Sequence, residues 1–246
     1  MIYSKQKYMT VMEKTMNLSK ETQDILSNFA SISQSINFEP GNIIKIRNES
    51  NSFYAVTEVQ ETFPKEFCIY DLSKFLQALK LFPSTDIEFD ESTMIIKNTN
   101  GSGKVHYSYT NPALIKTIDY SKNPKFSESL LEFTLTSDTF KQLQKASAMF
   151  GVQNIVIKSS DNNNIELITT TVDKNKKDTD NLFSVEVPSE KYSEDIAVAV
   201  DKDILKLYNG DYKVIVYPVN AKQSMLYFKN ISVSNTLEYI ASAKIV

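Results

Sequence analysis

The sequence predicts an α+β protein made of two similar domains, each with its helices on one face of antiparallel sheets. Two observations carry this prediction. Capped amphipathic helices alternate with groups of short β-strand patterns, and the same order of elements returns once along the chain. The first and third predicted helices start about 118 residues apart, which is the length of the repeat. Each domain is therefore expected to contain two βαβββ units.

The clearest helix signal lies between Asp71 and Pro83. Asp71 is a favourable N-cap, Pro83 stops a helix, and apolar residues recur between them at helical spacing. The apolar positions are Leu72, Phe75, Leu76 and Leu79, and the opposite face carries Ser73, Lys74, Gln77 and Lys80. The pattern predicts a helix over 72–82 that is buried on one side and basic on the other.

Three further helices follow from the same kind of signal. Ser19 can cap the first helix and Asp201 a short fourth one. Ser137 or Asp138 can cap the third, which Gly151 ends. The expected buried positions are Ile25, Leu26, Phe29 and Ile32 in the first, Phe140, Leu143 and Phe150 in the third, and Ile204, Leu205 and Tyr208 in the fourth.

Short β-strand patterns separated by turn residues fill the rest of the chain. They predict strands over 42–47, 53–59, 67–70, 86–89, 93–97, 104–110, 131–136, 154–158, 165–171, 182–187, 196–200, 212–217, 224–228 and 237–241. The resulting boundaries are an N-terminal tail over 1–15 that need not be ordered, a first domain over 16–110, a linker over 111–128 and a second domain over 129–246. Met16 is a second candidate start of translation.

Composition excludes several classes of protein. The chain has 246 residues, no apolar run long enough to span a membrane and no secretory type of apolar segment near its start. Its single cysteine, Cys68, cannot form an internal disulfide. We expect this cysteine to be a small buried apolar residue of a protein in a reducing cytoplasm.

The charge pattern limits the ways in which this chain can bind nucleic acid. A net charge of −3 argues against binding over the whole surface. Of the 27 basic residues only Arg47 is an arginine, and lysine lacks the planar fork that reads base edges. Any contact with nucleic acid is therefore expected to be weak and independent of base sequence. An A/T-rich genome would also explain the abundance of lysine, and the two explanations are compatible.

No motif for catalysis or metal binding stands out. His106 is the only histidine and has no partner for zinc binding or for action as a base. The G-S-G at 101–103 joins two strands instead of opening a helix, so it is not a phosphate loop. We expect no cofactor, no metal and no enzymatic activity.

A carboxylate- and metal-dependent enzyme is the alternative from another functional class. Asp173, Asp178 and Asp180 are spaced loosely like ligands of a hard cation, but lysines stand among them. A solvated loop is the preferred interpretation of this segment.

The exposed helix faces are basic for a protein with a negative net charge. On the last three helices, six lysines stand against one outward acid, Asp203, whereas the first helix carries Glu21 and Asp24 beside Lys20. If the helices share one face of the sheets, their lysines point the same way. Ordinary solubility is the competing explanation.

Two stretches carry a resemblance to a known family. Residues 18–32 (L-S-K-E-T-Q-D-I-L-S-N-F-A-S-I) followed by 68–79 (C-I-Y-D-L-S-K-F-L-Q-A-L) resemble the start of the T-even-phage-type sliding clamps, the processivity factors of DNA polymerases. The helix at 138–150 and the run 210–217 extend the resemblance into the second half. It implies three chains closed head to tail into a ring, with helices lining the hole and sheets at the rim.

In such a ring the helix lysines would face phosphates and hold duplex DNA without reading its bases. Enclosure would keep the ring on DNA, so weak attraction would suffice despite the net charge. The residues implied to face DNA are Lys20, Lys74, Lys80, Lys141, Lys145, Lys202 and Lys206. The other implied partners are a replicative DNA polymerase and a clamp loader, in the cytoplasm of a bacterial host if the chain is phage-encoded.

The resemblance also implies a subunit interface and a groove for partner peptides. The strand 104–110 would pair with the strand 182–187 of a neighbouring chain, although an ordinary internal core would use the same side chains. The interface residues would be Val105, Tyr107, Tyr109, Phe183, Val185 and Val187. The groove would be framed by Leu114, Ile115, Ile118, Ala243 and Ile245, although the linker residues could equally just hold the linker in place. A monomer that holds DNA by charge alone is the alternative within the same functional class.

Overall fold

The computed structural model describes residues 15–115, 128–171 and 182–246. These residues divide into two compact units. The first comprises 15–47 and 56–115, and the second comprises 48–55, 128–171 and 182–246. Most of the expected N-terminal tail, most of the expected linker and the loop with Asp173, Asp178 and Asp180 lie outside the described residues.

The first unit follows the predicted βαβββ order twice. Its helices are α1 (Lys20–Ile32) and α2 (Leu72–Leu79). Its strands are β1 (Thr15–Met16), β2 (Ile36–Phe38), β3 (Gly41–Arg47), β4 (Phe53–Phe63), β5 (Phe67–Ile69), β6 (Thr85–Phe89), β7 (Thr93–Asn98) and β8 (Lys104–Ser108). The first three residues of β4 are grouped with the second unit.

The second unit repeats this order with one change. It has a long helix, α3 (Ser137–Phe150), but a short 3-10 helix, Lys202–Lys206, stands in the place that α2 has in the first unit. Its strands are β9 (Leu131–Leu135), β10 (Asn154–Ser159), β11 (Asn164–Thr170), β12 (Phe183–Lys191), β13 (Ala197–Asp201), β14 (Tyr212–Asn220), β15 (Gln223–Asn230) and β16 (Leu237–Ile245). The prediction of a duplicated α+β fold with antiparallel sheets is confirmed.

Antiparallel pairing builds the sheets of the first unit. The strands β1, β6, β7 and β8 form one sheet in that order, and β2 pairs with β5. Ile87 lies opposite Ile96, and both are buried because side chains alternate between the two faces of the strands. The strand β8 lies at one edge of its sheet.

The strands of the second unit form a closed circuit. Their order is β13-β10-β11-β12-β9-β14-β15-β16, and β13 also pairs with β16. Helix α3 packs on β11 and β12 and buries Phe140 and Leu143. The largest buried side chains on the strands of this unit include Phe133, Tyr212, Phe228 and Tyr239.

Four of the predicted helix-end residues act as predicted. The Ser19 hydroxyl accepts the Thr22 N–H at 3.2 Å, and an Asp71 carboxylate oxygen accepts the Lys74 N–H at 2.9 Å. Asp201 caps the 3-10 helix. Gly151 ends α3 with φ at 65°, a left-handed conformation that favours glycine because it has no Cβ.

Two helix ends and one helix type differ from the prediction. Thr136 caps α3, so Ser137 and Asp138 lie in its first turn. Helix α2 ends at Leu79, not at residue 82. The fourth helix is a 3-10 helix, and its period of three residues buries Ile204 and Leu207 in place of the predicted Leu205 and Tyr208.

Some strands were missed or misjudged in length. The strands β1 and β2 have only two and three residues, too few to show a period in the sequence. Residue 15, assigned to the tail, is part of the fold because Thr15 pairs with Glu88. The strand β12 continues past Pro188, and β8 stops at Ser108, before the Thr110 N–H donates to Cys68 O at 2.9 Å.

The start of α1 is held by a carboxylate from β4. Glu61 accepts the backbone N–H of Ser19, and its second oxygen accepts the Thr22 hydroxyl at 2.7 Å. Burial raises the pKa of Glu61, but these hydrogen bonds more than offset that effect, and the net pKa is lowered. The charged form of Glu61 is therefore the one that stabilises the fold.

We predict that Glu61→Gln lowers the free energy of unfolding by about 1 kcal/mol at neutral pH, the usual cost of a lost N-terminal cap. A lowered folded-state pKa gives stability that is present above the unfolded pKa and lost as pH falls through the folded pKa. The difference between wild type and variant should therefore shrink on acidification. Urea unfolding from neutral pH to pH 4 measures it, with the exposed Glu49→Gln as the control. A difference that is constant with pH would contradict the role of the charge.

Candidate functional site

Each unit places two helices side by side. In the first unit, the Leu72 N–H donates to Gln34 O at 2.8 Å, which brings the start of α2 to the end of α1. In the second, the side-chain amide of Gln144 donates to Leu205 O at 2.8 Å and joins α3 to the 3-10 helix. The exposed faces of neighbouring helices can therefore act together within each unit.

Six of the seven predicted lysines lie on these helices and Lys80 follows directly after α2; six of the seven are exposed. The exposed ones are Lys20, Lys74, Lys80, Lys141, Lys145 and Lys202. Lys206 is only partly exposed, because it forms an ion pair with Asp203 at 2.6 Å. The structure thus groups Lys20, Lys74 and Lys80 in the first unit and the other four lysines in the second.

Acids pair with three of these lysines at a spacing of three residues. The N–O distances are 3.3 Å for Lys74 and Asp71, 4.0 Å for Lys141 and Asp138, and 2.6 Å for Lys206 and Asp203. The sequence pattern predicted Asp203 as the one outward acid, which was wrong. The Asp138 side chain is 94% exposed, whereas the Asp203 side chain is only 23% exposed.

The surroundings of Asp71 and Asp203 favour their charged forms. The backbone N–H and ammonium group of Lys74 lower the pKa of Asp71. Burial raises the pKa of Asp203, but hydrogen bonds from Lys206 and Asn48 outweigh it and the net pKa is lowered. Both acids therefore offset lysine charge near neutral pH. Among the residues that the structure describes, no carboxylate lies within 4.0 Å of Lys20, Lys80, Lys145 or Lys202.

Among the described residues, the two strands predicted to meet at a subunit interface both have a free edge. The strand β8 pairs with β7 alone in this part of the chain. Residues 183–188 of β12 pair with β11, and pairing with β9 is confined to Ser189 and Lys191. The edge of β12 opposite β11 is therefore open over 183–188.

The apolar side chains of these strands also pack within their own unit. The Tyr107 ring lies 5.6 Å from the Phe75 ring, and the Tyr109 ring lies 5.4 Å from the Phe67 ring. Val187 is buried, while Phe183, Val185 and Val105 are half-buried. The apolar side chains of β8 and β12 therefore pack within their own units, while one backbone edge of β8, and of β12 over 183–188, has no partner among the described residues.

A cleft in the first unit contains one predicted groove residue, Ile115, which is 7% exposed. Six polar or charged residues line this cleft together with Ile115, Ile36, Ile43 and Ile46, and of these isoleucines only Ile43 is exposed. The sequence analysis missed Ile43, which is 47% exposed. A signal existed, because adjacent residues of a strand point to opposite faces and Ile43 and Ile44 cannot both face one core.

The other predicted groove residues are spread over several environments. Leu114 is 68% exposed at the end of the 3-10 turn Pro112–Leu114. Ala243 is buried and lies opposite Val200 and Ser224, while Ile245 is 44% exposed. Ile118 lies outside the described residues.

Other potentially reactive groups have ordinary surroundings. The Cys68 thiol is buried, its S–H donates to the Asn37 side-chain oxygen at 3.0 Å, and burial raises its pKa. His106 is exposed on β8. Within 15–115, 128–171 and 182–246, no group of three potential metal ligands occurs. Likewise, no helix in this part of the chain has the length and hydropathy needed to cross a membrane.

Comparison with known proteins gives consistent matches. Residues 19–116 match the family of DNA polymerase processivity factors. The sliding clamp of Vibrio phage KVP40 is 27% identical over 205 residues, covering 82% of this chain and 91% of the phage protein. The sliding clamp of Escherichia phage RB69 is 26% identical over 219 residues, covering 84% and 90%. The A. fulgidus PCNA solved with the C-terminal region of FEN-1 superposes with a TM-score of 0.67 at 13% identity, covering 95% of this chain and 99% of that one.

Proposed function

This chain belongs to the T-even-phage type of sliding clamps, and we propose that three copies close into a ring that encircles duplex DNA and tethers a replicative polymerase. The observation that carries the proposal is the pair of neighbouring helices in each unit with lysines on their exposed faces. In the proposed ring, these lysine-bearing helix faces line the central hole.

The lysines hold the DNA backbone without reading its sequence. An ammonium group attracts phosphate as a point charge and has no preferred base partner. The four lysines outside ion pairs, Lys20, Lys80, Lys145 and Lys202, carry most of this attraction. The acids beside Lys74, Lys141 and Lys206 weaken the contacts of those lysines, and weak contacts let the ring move along the duplex.

Ring closure uses the two free strand edges. The edge of β8 of one copy pairs with the open edge of β12 of the next, and three such contacts close the ring. Antiparallel pairing satisfies backbone groups that otherwise bond only to water. A closed ring cannot thread onto circular DNA, so a clamp loader that opens it is a further partner.

The cleft around Ile43 is the docking site of partner peptides. Ile43 is 47% exposed and offers apolar surface that a peptide side chain can cover, while the polar and charged residues of the cleft can bond to the peptide backbone. Leu114 and Ile118 on the linker belong to the same proposal, whereas Ala243 and Ile245, in the second unit, stay a prediction from the family resemblance. The tethered polymerase supplies the chemistry, so the role of this chain in the proposal is non-catalytic. The proposed place of action is the cytoplasm of the bacterial host.

We predict that Lys74→Glu, Lys80→Glu, Lys141→Glu and Lys145→Glu together shorten processive synthesis by about tenfold, because phosphate contacts become repulsive. The fold and a native mass of three times 28.0 kDa should stay intact. Primer extension in the presence of a polymerase trap and native mass spectrometry measure the two properties.

A matched pair of variants separates the helix faces from net charge. Lys141→Glu with Lys145→Glu changes α3, whereas Lys222→Glu with Lys229→Glu makes the same charge change elsewhere in the second unit. Only the α3 pair should reduce processivity. Equal losses in both pairs would refute the special role of the helix lysines, and a strictly monomeric wild type would refute the ring.

We predict that Ile43→Asp weakens binding of the replicative polymerase by about tenfold or more, because a charge then replaces the exposed apolar side chain of the cleft. Ile231→Asp is the control, since Ile231 has a similar exposure of 55% and lies in the other unit. Co-sedimentation of polymerase and trimer gives the affinities. Unchanged binding by the folded Ile43→Asp trimer would place the docking site elsewhere.

A further inference from the structure

The free edge of β8 has a defined set of backbone groups. The Gly103 carbonyl accepts the N–H of Asn98, at the end of β7, at 2.9 Å. The backbone of Gly103 therefore points toward β7, and backbone direction alternates along a strand. The groups that point to the free edge belong to Lys104, His106 and Ser108.

The free edge of β12 follows from the same reasoning. The Asn164 carbonyl accepts the Ser160 N–H at 2.9 Å, so Asn164 points toward β10 and Ile165 points toward β12. Val187 lies opposite Ile165 and points back at it. The groups that point to the free edge therefore belong to Ser184, Glu186 and Pro188.

Both edges present the same arrangement of side chains. The residues with free backbone groups are exposed, and the residues between them are buried or half-buried. Two antiparallel strands can therefore join with full hydrogen bonding only if exposed residues pair with exposed ones and apolar with apolar. This condition permits only registers that differ by steps of two residues.

Charge makes the two exposed faces complementary. On the β8 side, Lys104 lies opposite Lys97, which already pairs with Glu88 at 2.5 Å, whereas no carboxylate among the described residues lies within 4.0 Å of Lys104. On the β12 side, Glu186 lies opposite Glu166. Like charges directly opposite each other destabilise a pair of strands unless an opposite charge approaches.

Of these two glutamates, Glu166 has a basic partner, whereas Glu186 has none among the described residues. Glu166 pairs with Lys158 at 2.8 Å. Glu186 instead accepts hydrogen bonds from the Ser160 hydroxyl at 2.7 Å and the Asn164 amide at 3.4 Å. No basic group among the described residues lies within 4.0 Å of it. A second copy of this chain can supply one.

We propose that β8 of one copy pairs with β12 of the next in the register that sets His106 opposite Glu186. The inference rests on the proposed ring. This register forms all three apolar pairs, Val105 with Val187, Tyr107 with Val185, and Tyr109 with Phe183. It also gives Glu186 an imidazole N–H donor, which histidine offers in both protonation states.

The neighbouring registers are worse for identifiable reasons. A shift by two residues in one direction sets Lys104 opposite Glu186, but it also sets Val187 opposite Gly103 and loses an apolar pair. An exposed ion pair contributes less stability than the apolar contact that is lost. A shift in the other direction sets Pro188 opposite His106, in the middle of β8, where proline has no N–H to donate. In the proposed register Pro188 lies opposite Lys104, at the end of the strand.

A cysteine scan determines the register. Ser108→Cys is kept constant and combined in turn with Leu182→Cys, Ser184→Cys or Glu186→Cys, so that one partner matches each register. Directly opposite residues have Cα atoms about 5.5 Å apart, within reach of a disulfide, whereas a displacement of two residues gives about 7–8 Å. After mild oxidation, the 108–184 variant should form covalent dimers and trimers about tenfold faster than the other two.

Native mass, measured before oxidation, distinguishes failure of the proposed ring from failure of the proposed register. A monomer overturns the ring itself. A trimer that cross-links best at 182 or 186 overturns the register, and a trimer without any cross-link overturns pairing of these strands. Single-cysteine variants control for Cys68, which is buried.

A charge exchange tests the His106–Glu186 pair independently. Glu186→Lys should raise the dissociation constant of the trimer by about tenfold, because a lysine then faces His106 and Lys104. Adding His106→Glu should restore most of the loss, and the exposed Glu194→Lys should have no effect. Failure of the double variant to recover assembly would contradict the pairing.

Discussion

Burial of one apolar stripe per helix is the constraint on which the rest of the structure depends. Phe29 in α1, Phe75 in α2 and Phe140 in α3 are almost fully buried. Each such side chain stabilises the fold by about 1.5–3 kcal/mol, whereas an exposed lysine–acid pair contributes about 0.3–0.5 kcal/mol. Packing therefore sets the rotation of each helix, and the lysines face outward as a consequence.

A protein that slides needs an attraction that is present but weak. The helix faces meet this need by combining lysines with acids at a spacing of three residues, as in Asp71 with Lys74 and Asp138 with Lys141. The net charge of −3 also weakens the long-range attraction to DNA. In the proposed ring, retention comes from the strand contacts between copies, so the strand edges and the helix faces serve one function.

The sequence was informative where a local rule determines the structure. Asp71 and Gly151 mark helix ends through their own hydrogen bonding and backbone preference, so both could be predicted. The 3-10 form of 202–206 could not, because its period depends on packing against the sheet. Strand alternation could have marked Ile43 as outward, but the place of Ile115 in the same cleft and the free edge of β12 depend on segments that are distant in sequence, which no local pattern records.

Retention on circular and linear DNA tests most directly whether topology, more than affinity, holds this protein on DNA. The labelled protein is loaded with its clamp loader and ATP onto a nicked circle, passed through a sizing column in high salt, and examined again after a single cut. We expect it to stay on the circle and to leave once the cut creates free ends. Equal retention on both forms, or loss from both at the same salt concentration, would contradict encirclement.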